Sequence, residues 1–264
     1  MEKIVYANSY EKFFTDAGLK SLDDFFGYSP VETIGINNKR SVVAFSLGTD
    51  SQKKYFYMKR FNRPHFKDMF FTRRSFGESC SQARCEWENA RLLLDNGIDT
   101  YHPVCYGEKT KFGIENKSFI VTEKMQGIAM TDFVREKWHA LTTKQKEKII
   151  SSTGTFVRKI HACKISLPDL YLWHIFIKET VENNYEFAVI DLHRMSRNVT
   201  KTNVQTENLG RLHHSMISKY FDENLKTLLL KSYAAAGDTD AGTLIAQVKK
   251  QSDMVSARRN PKPY

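Results

Sequence analysis

Four ionisable side chains stand in an order that suits phosphoryl transfer: Lys59, Glu86, Asp169 and Asp191. Lys59 lies near the end of an aromatic, strand-like run, Tyr55-Phe56-Tyr57-Met58-Lys59-Arg60-Phe61. Glu86 lies on the apolar stripe of the helical stretch that follows. At about 100° per residue from Ala83, Glu86 falls near the stripe while Glu88 points to the far side. A buried lysine and a buried glutamate must find partners, and each can serve the other. Taken singly, Lys59 has a plainer reading, its stem on the strand end and its ammonium in water, with Glu86 flanking the stripe.

The second cluster is Asp169-Leu170-Tyr171-Leu172-Trp173-His174, which begins eight residues after His161 and precedes a hairpin ending in Ile190-Asp191. A loop acid, a metal-binding side chain five residues on and an acid at a strand exit are the parts that phosphoryl transfer needs. One acid orients and deprotonates the attacking hydroxyl, and the other holds the magnesium that neutralises the phosphates. A lone loop aspartate is more often a turn or cap residue. The ordered spacing of the whole set is what favours the chemical reading.

These residues need elements to position them. Ser41-Val42-Val43-Ala44-Phe45-Ser46, a turn at Gly48-Thr49-Asp50-Ser51 and the aromatic run ending at Phe61 predict an antiparallel hairpin. Ala83, Glu86, Trp87, Ala90, Leu93 and Leu94 predict a helix that stops at Asn96-Gly97. Strands follow around Val104 to Gly107 and Ser118 to Glu123, and the first thirty residues suggest a short helix and a turn. Beyond Gly127 the pattern turns helical. Thr142-Thr143 caps a long helix with the stripe Ile149, Ile150, Thr153, Phe156, Val157 and Ile160. A hairpin comes next, Ile175-Phe176-Ile177 and Phe187-Ala188-Val189-Ile190, and then three helices, including Leu209, Leu212, Met216, Ile217 and Leu225, Leu228, Leu229.

In this order the residues resemble the protein-kinase-like fold, and more closely the lipopolysaccharide kinase (Kdo/WaaP) family of bacterial core-sugar kinases. The resemblance is carried by Tyr57-Met58-Lys59-Arg60, Cys85-Glu86-Trp87-Glu88-Asn89, Asp169-Leu170-Tyr171-Leu172-Trp173-His174 and Ile190-Asp191-Leu192-His193-Arg194, and it covers residues 30 to 200 roughly. Ordinary protein kinases carry Asn where His174 stands and Asp-Phe-Gly where Asp191-Leu192-His193 stands. The resemblance implies an α+β, two-lobed protein-kinase-like fold. A small antiparallel-sheet N-terminal lobe with one helix would occupy residues 1–126 and a mostly helical C-terminal lobe residues 127–264. It implies an ATP- and Mg2+-dependent transfer to a sugar hydroxyl of the lipopolysaccharide inner core, heptose ahead of Kdo. In that reading Asp169 is the catalytic acid/base. Lys59, Glu86, Arg40, Glu123 and Met125 serve the nucleotide, and Asp191 with His174 serves the metal. The alternatives are another small-molecule or protein kinase of the same fold and a binding-only pseudokinase or scaffold.

The chain departs from the kinase pattern in two further places. In place of a G-x-G-x-x-G loop, Gly35-Ile36-Asn37-Asn38-Lys39-Arg40-Ser41 offers one glycine and two cations to cover phosphates. Leu167-Pro168 stands where His-Arg usually precedes the catalytic aspartate, which removes an anchor for the loop.

Lys plus Arg outnumber Asp plus Glu by 40 to 30 in the 264 residues, a net charge of +10, which favours an anionic partner. Cations alternate with phenylalanines from Lys59 to Phe76, the mixture expected of a segment that rests on an anionic bilayer or grips a phosphorylated glycolipid. No nucleic-acid partner is expected. Arg258-Arg259-Asn260-Pro261-Lys262 reads as a solvated tail. Four cysteines without C-x-x-C spacing, no run of about 18 apolar residues and an opening without a signal-peptide core set the expectation for location. That expectation is the cytoplasm, peripheral on the cytoplasmic face of the inner membrane.

Overall fold

The structure is a computed structural model. It describes residues 1–264 apart from 8, 30–31, 38, 50–52, 63–79, 113, 182–183 and 238. The basic aromatic segment between Arg63 and Phe76 therefore lies outside the described residues. The chain divides into two compact units, Met1–Asp95 with Thr100–Met125, and Asn96–Asp99 with Gln126–Tyr264.

The first unit is built on a six-stranded antiparallel sheet of β1 (Glu2–Tyr6), β2 (Glu32–Asn37), β3 (Arg40–Leu47), β4 (Lys54–Asn62), β5 (Pro103–Lys111) and β6 (Ile114–Glu123), in the order β1-β5-β6-β4-β3-β2. The expected hairpin is β3–β4, with Val42 opposite Lys59 and Val43 opposite Met58. Along β4 alternate side chains take opposite faces, which decides the fate of every residue in the aromatic run. Phe56 and Met58 enter a core with Phe14, Phe25 and Phe119, where the rings of Phe25 and Phe119 stack at 4.1 Å. Two short helices, α1 (Tyr10–Asp16) and α2 (Leu22–Gly27), cover this face, and α2 starts with a capping box between Ser21 and Asp24. The first thirty residues, expected to hold one short helix and a turn, thus hold two helices. The opposite face carries Lys59 and Phe61 and receives α3 (Gln82–Asp95), whose buried stripe contains Ala83, Glu86, Trp87, Ala90 and Leu93.

The second unit opens with β7 (Ile128–Ala129), which joins β8 (Ile175–Glu179) and β9 (Tyr185–Val189) in a small sheet of order β7-β8-β9. Its helices are α4 (Met130–Lys137), α5 (Thr143–Ala162), α6 (Thr202–Ser215), α7 (Glu223–Ala235) and α8 (Ala241–Ser256). A capping box between Thr142 and Gln145 starts α5. Helix α5 packs on α7 and α6 packs on α8. Gly154 allows the α5–α7 approach, because a Cβ there would collide with the Leu229 carbonyl oxygen. The buried face of α7 is Lys226, Leu229, Leu230, Tyr233 and Ala234, so Leu225 and Leu228 are only half-buried. Three consecutive leucines at 228–230 leave the helical phase open in the sequence, and packing against α5 selects it.

Candidate active site

In the first unit Lys59 and Glu86 meet across β4 and α3. The Lys59 Nζ lies 2.6 Å from the Glu86 Oε1, with the lysine side chain 19% and the glutamate side chain 3% exposed. The second carboxylate oxygen accepts a hydrogen bond from the Tyr101 hydroxyl at 3.0 Å. A charge this deep is tolerable only when its oxygens are satisfied in this way. Glu88, by contrast, is half-exposed on the flank of α3.

Arg40 stacks 5.4 Å from the Phe61 ring and donates from Nη2 to the Gln82 side-chain oxygen at 2.7 Å. The Glu123 carboxylate is bonded by the Tyr10 hydroxyl and lies 3.5 Å from Lys54. Its side chain is thus tied into the first unit, and Met125 is the last residue of that unit.

In the second unit the β8–β9 hairpin brings Asp169, His174 and Asp191 together. The backbone N–H of Ile190 donates to the carbonyl of His174 at 3.0 Å, so the strand exit is held beside the loop. Asp191 turns in the left-handed region, φ 64° and ψ 62°. That conformation is uncommon for a residue with a Cβ and is enriched at functional sites. Its Oδ1 lies 3.0 Å from His193 Nδ1, and its Oδ2 lies 3.7 Å from His174 Nε2. His174 Nδ1 is 2.7 Å from the Asp169 carbonyl oxygen, which can only accept, so Nδ1 carries a proton. Arg194 Nη1 stands 3.6 Å from the Asp169 carboxylate.

The loop around Leu167-Pro168 has an anchor that the sequence reading lacks. Asn208 on α6 accepts at its side-chain oxygen from the Leu167 backbone N–H at 2.8 Å and from the Ser166 hydroxyl at 2.9 Å. His161 Nε2 approaches the same oxygen at 3.3 Å, and its Nδ1 meets the Tyr233 hydroxyl at 2.8 Å. Burial pushes the His161 pKa down to about 4, so the ring is neutral near pH 7. Seven residues further along α6, two helical turns on, the Ser215 hydroxyl oxygen accepts from the Leu172 N–H at 2.9 Å. One face of α6 thus holds the loop at both ends. The only trace in the sequence is this pair of polar residues at a two-turn spacing beside Leu209 and Leu212.

The stretch after α8, expected as a solvated tail, is docked. Tyr264 donates its hydroxyl to the Ser215 carbonyl at 2.7 Å, accepts from the Ile217 N–H at 3.3 Å and stacks on Tyr220. Burial raises the Tyr264 pKa. Arg259 lies 5.5 Å from the Tyr171 ring and 5.8 Å from Trp173, and Lys262 lies 4.8 Å from Trp173. Aromatic partners inside the loop, invisible to a charge count, are what retain it.

The fold is shared with a solved structure of WaaP in complex with acyl carrier protein, at a TM-score of 0.70 and 18% identity over 96% of this chain and 99% of that one. The sequence model of the lipopolysaccharide kinase (Kdo/WaaP) family matches residues 29–233, and the chain belongs to that family. It is 26% identical over 157 residues to the lipopolysaccharide core heptose(I) kinase WaaP of Pseudomonas aeruginosa, covering 57% of this chain and 59% of that protein. It is 32% identical over 115 residues to the Escherichia coli protein of the same name, covering 41% of this chain and 43% of that one. The chain spans about half the length of the curated relatives it matches.

Proposed function

We propose that the protein is an ATP-dependent kinase that phosphorylates a sugar hydroxyl of the lipopolysaccharide inner core, heptose in preference to Kdo. The observation that carries this reading is the single loop-and-hairpin cluster in which His174 adjoins both Asp169 and Asp191. Asp169 accepts the proton of the attacking hydroxyl, with Arg194 beside its carboxylate and Asn208 and Ser215 fixing the loop that carries it.

The donor set fits a divalent cation. His174 Nδ1 donates to the Asp169 carbonyl, so Nε2 is the ring atom turned toward Asp191 Oδ2, 3.7 Å away. A ring nitrogen and a carboxylate oxygen at this separation are ligand types for a shared cation, with Asp191 the harder ligand and His174 the softer. Asp191 and His174 would hold Mg2+ there, which would neutralise phosphate charge, and ATP would supply the phosphoryl group. Lys59, oriented by Glu86, reaches for phosphate oxygens, and Arg40, Glu123 and Met125 complete the nucleotide set.

The acceptor is a glycolipid, and the protein works peripherally at the anionic cytoplasmic face of the inner membrane. The +10 charge and the alternating cations and phenylalanines of residues 59–76 support this placement. No helix among the described residues is long and apolar enough to cross a membrane. The test is incubation with magnesium and labelled ATP and lipopolysaccharide stripped of core phosphate. Label should enter the heptose. Label in Kdo alone would overturn the sugar preference, and nucleotide binding without transfer would identify a binding-only protein.

A further inference from the structure

Residues 257–264 lie outside the stretch 29–233 that the family model matches. Tyr171 and Trp173, two and four residues after Asp169, stack face to face at 4.5 Å and 9°. Arg259 and Lys262 rest on this pair. Both side chains are exposed, and neither has a carboxylate at ion-pair distance among the described residues. Stacking occupies the flat faces of an arginine and leaves its N–H donors directed outward, which suits phosphate or carboxylate recognition.

The backbone between the two cations and the anchor is stiff. Pro261 and Pro263 fix their own φ and press Asn260 and Lys262 into extended conformations. Tyr264 then fastens the segment to Ser215, the residue whose hydroxyl holds the Leu172 N–H of the same loop. Two cations without an ion-pair partner among the described residues thus rest on rings that stand two and four residues after Asp169 in the chain. The backbone entropy lost when an anion binds them is correspondingly small.

We propose that Arg259 and Lys262, mounted on Tyr171 and Trp173 and locked by Tyr264, form the subsite for an anionic group of the sugar acceptor. Its occupation presents the acceptor hydroxyl to Asp169. This rests on the kinase reading of Asp169. The anionic group is a phosphate or a carboxylate.

The probe is deacylated core oligosaccharide lacking heptose phosphate, titrated calorimetrically into the full chain. Two further samples have their carboxyl groups reduced or their glucosamine phosphates removed. The double substitution Arg259→Ala/Lys262→Ala should weaken binding roughly 10- to 100-fold, the usual worth of hydrogen bonds to charged groups. The KM for oligosaccharide should rise by a similar factor while the KM for ATP holds. The charge-preserving Arg259→Lys/Lys262→Arg should keep most of the affinity. One of the two modified oligosaccharides should bind as weakly to the unaltered protein, which names the group. Unchanged affinity in the alanine variant overturns the subsite. So does equal loss in the charge-preserving variant, or indifference to both chemical modifications. Oligosaccharide binding that depends on these cations without any phosphoryl transfer would overturn the kinase reading and leave the subsite standing.

Discussion

Replacing Asn208 with leucine tests the loop anchor, because the branched shape and the number of side-chain heavy atoms are kept while the acceptor is removed. Asn208 is 1% exposed, so no water replaces it. The Leu167 N–H at 2.8 Å and the His161 Nε2–H at 3.3 Å lose their partner, as does the Ser166 hydroxyl at 2.9 Å, which is free to rotate. Each orphaned buried donor costs about 1–3 kcal/mol. The two N–H groups together cost roughly 2–6 kcal/mol, a large part of the 5–15 kcal/mol typical of a whole domain. Urea unfolding followed by tryptophan fluorescence reads this, since Trp138 and Trp173 both lie in the second unit. The backbone at Leu167 should also drift from α6 and carry Asp169 with it. A misplacement of about 1 Å at a reacting group can cost on the order of 10²-fold in rate. Turnover should therefore fall much more than ATP affinity. Asn208→Asp, which keeps an acceptor for the same donors, should recover part of the loss. A leucine variant within about 0.5 kcal/mol of the parent, the range of an inconsequential substitution, would show that Asn208 is not the anchor.

Three further outcomes follow from the same geometry. Asp169→Asn keeps the size but removes the proton acceptor, so turnover should drop by roughly 10²-fold or more while calorimetric ATP binding survives; near-normal turnover would remove Asp169 from the role. Lys59→Ala leaves Glu86 buried without its cation and should destabilise the first unit by about 3 kcal/mol, read through Trp87 fluorescence, and Glu86→Gln added to it should restore part of that loss. Burial lowers the pKa values of His161 and His213 to about 4 from the ordinary 6.5. Below pH 6.5 the unfolded chain therefore binds protons that the folded chain refuses, and stability falls progressively between pH 6.5 and pH 4. His161→Gln should flatten that slope in urea titrations at several pH values, and an unaltered slope would contradict the buried, neutral ring.

What the sequence determines here is local. Alternation along β4 separates Phe56 and Met58 from Lys59, and the helical phase of α3 turns Glu86 inward and leaves Glu88 at the flank. Both follow from backbone periods that a run of a few residues already contains. The order of the four motifs is likewise a property of the chain, and it carries the two-unit α+β architecture. The remaining parts of the site depend on contacts between residues far apart in the chain. Asn208 stands 41 residues from the Leu167 N–H that it accepts, and Tyr264 stands 49 from the Ser215 carbonyl. A periodicity reports which face of an element is apolar and says nothing about what will cover it. The phase of α7 within its leucine run, the anchoring of the Leu167-Pro168 loop and the docking of Arg259 and Lys262 were therefore decided only when the second unit packed. There burial forces each polar group to a partner, whatever its distance along the chain.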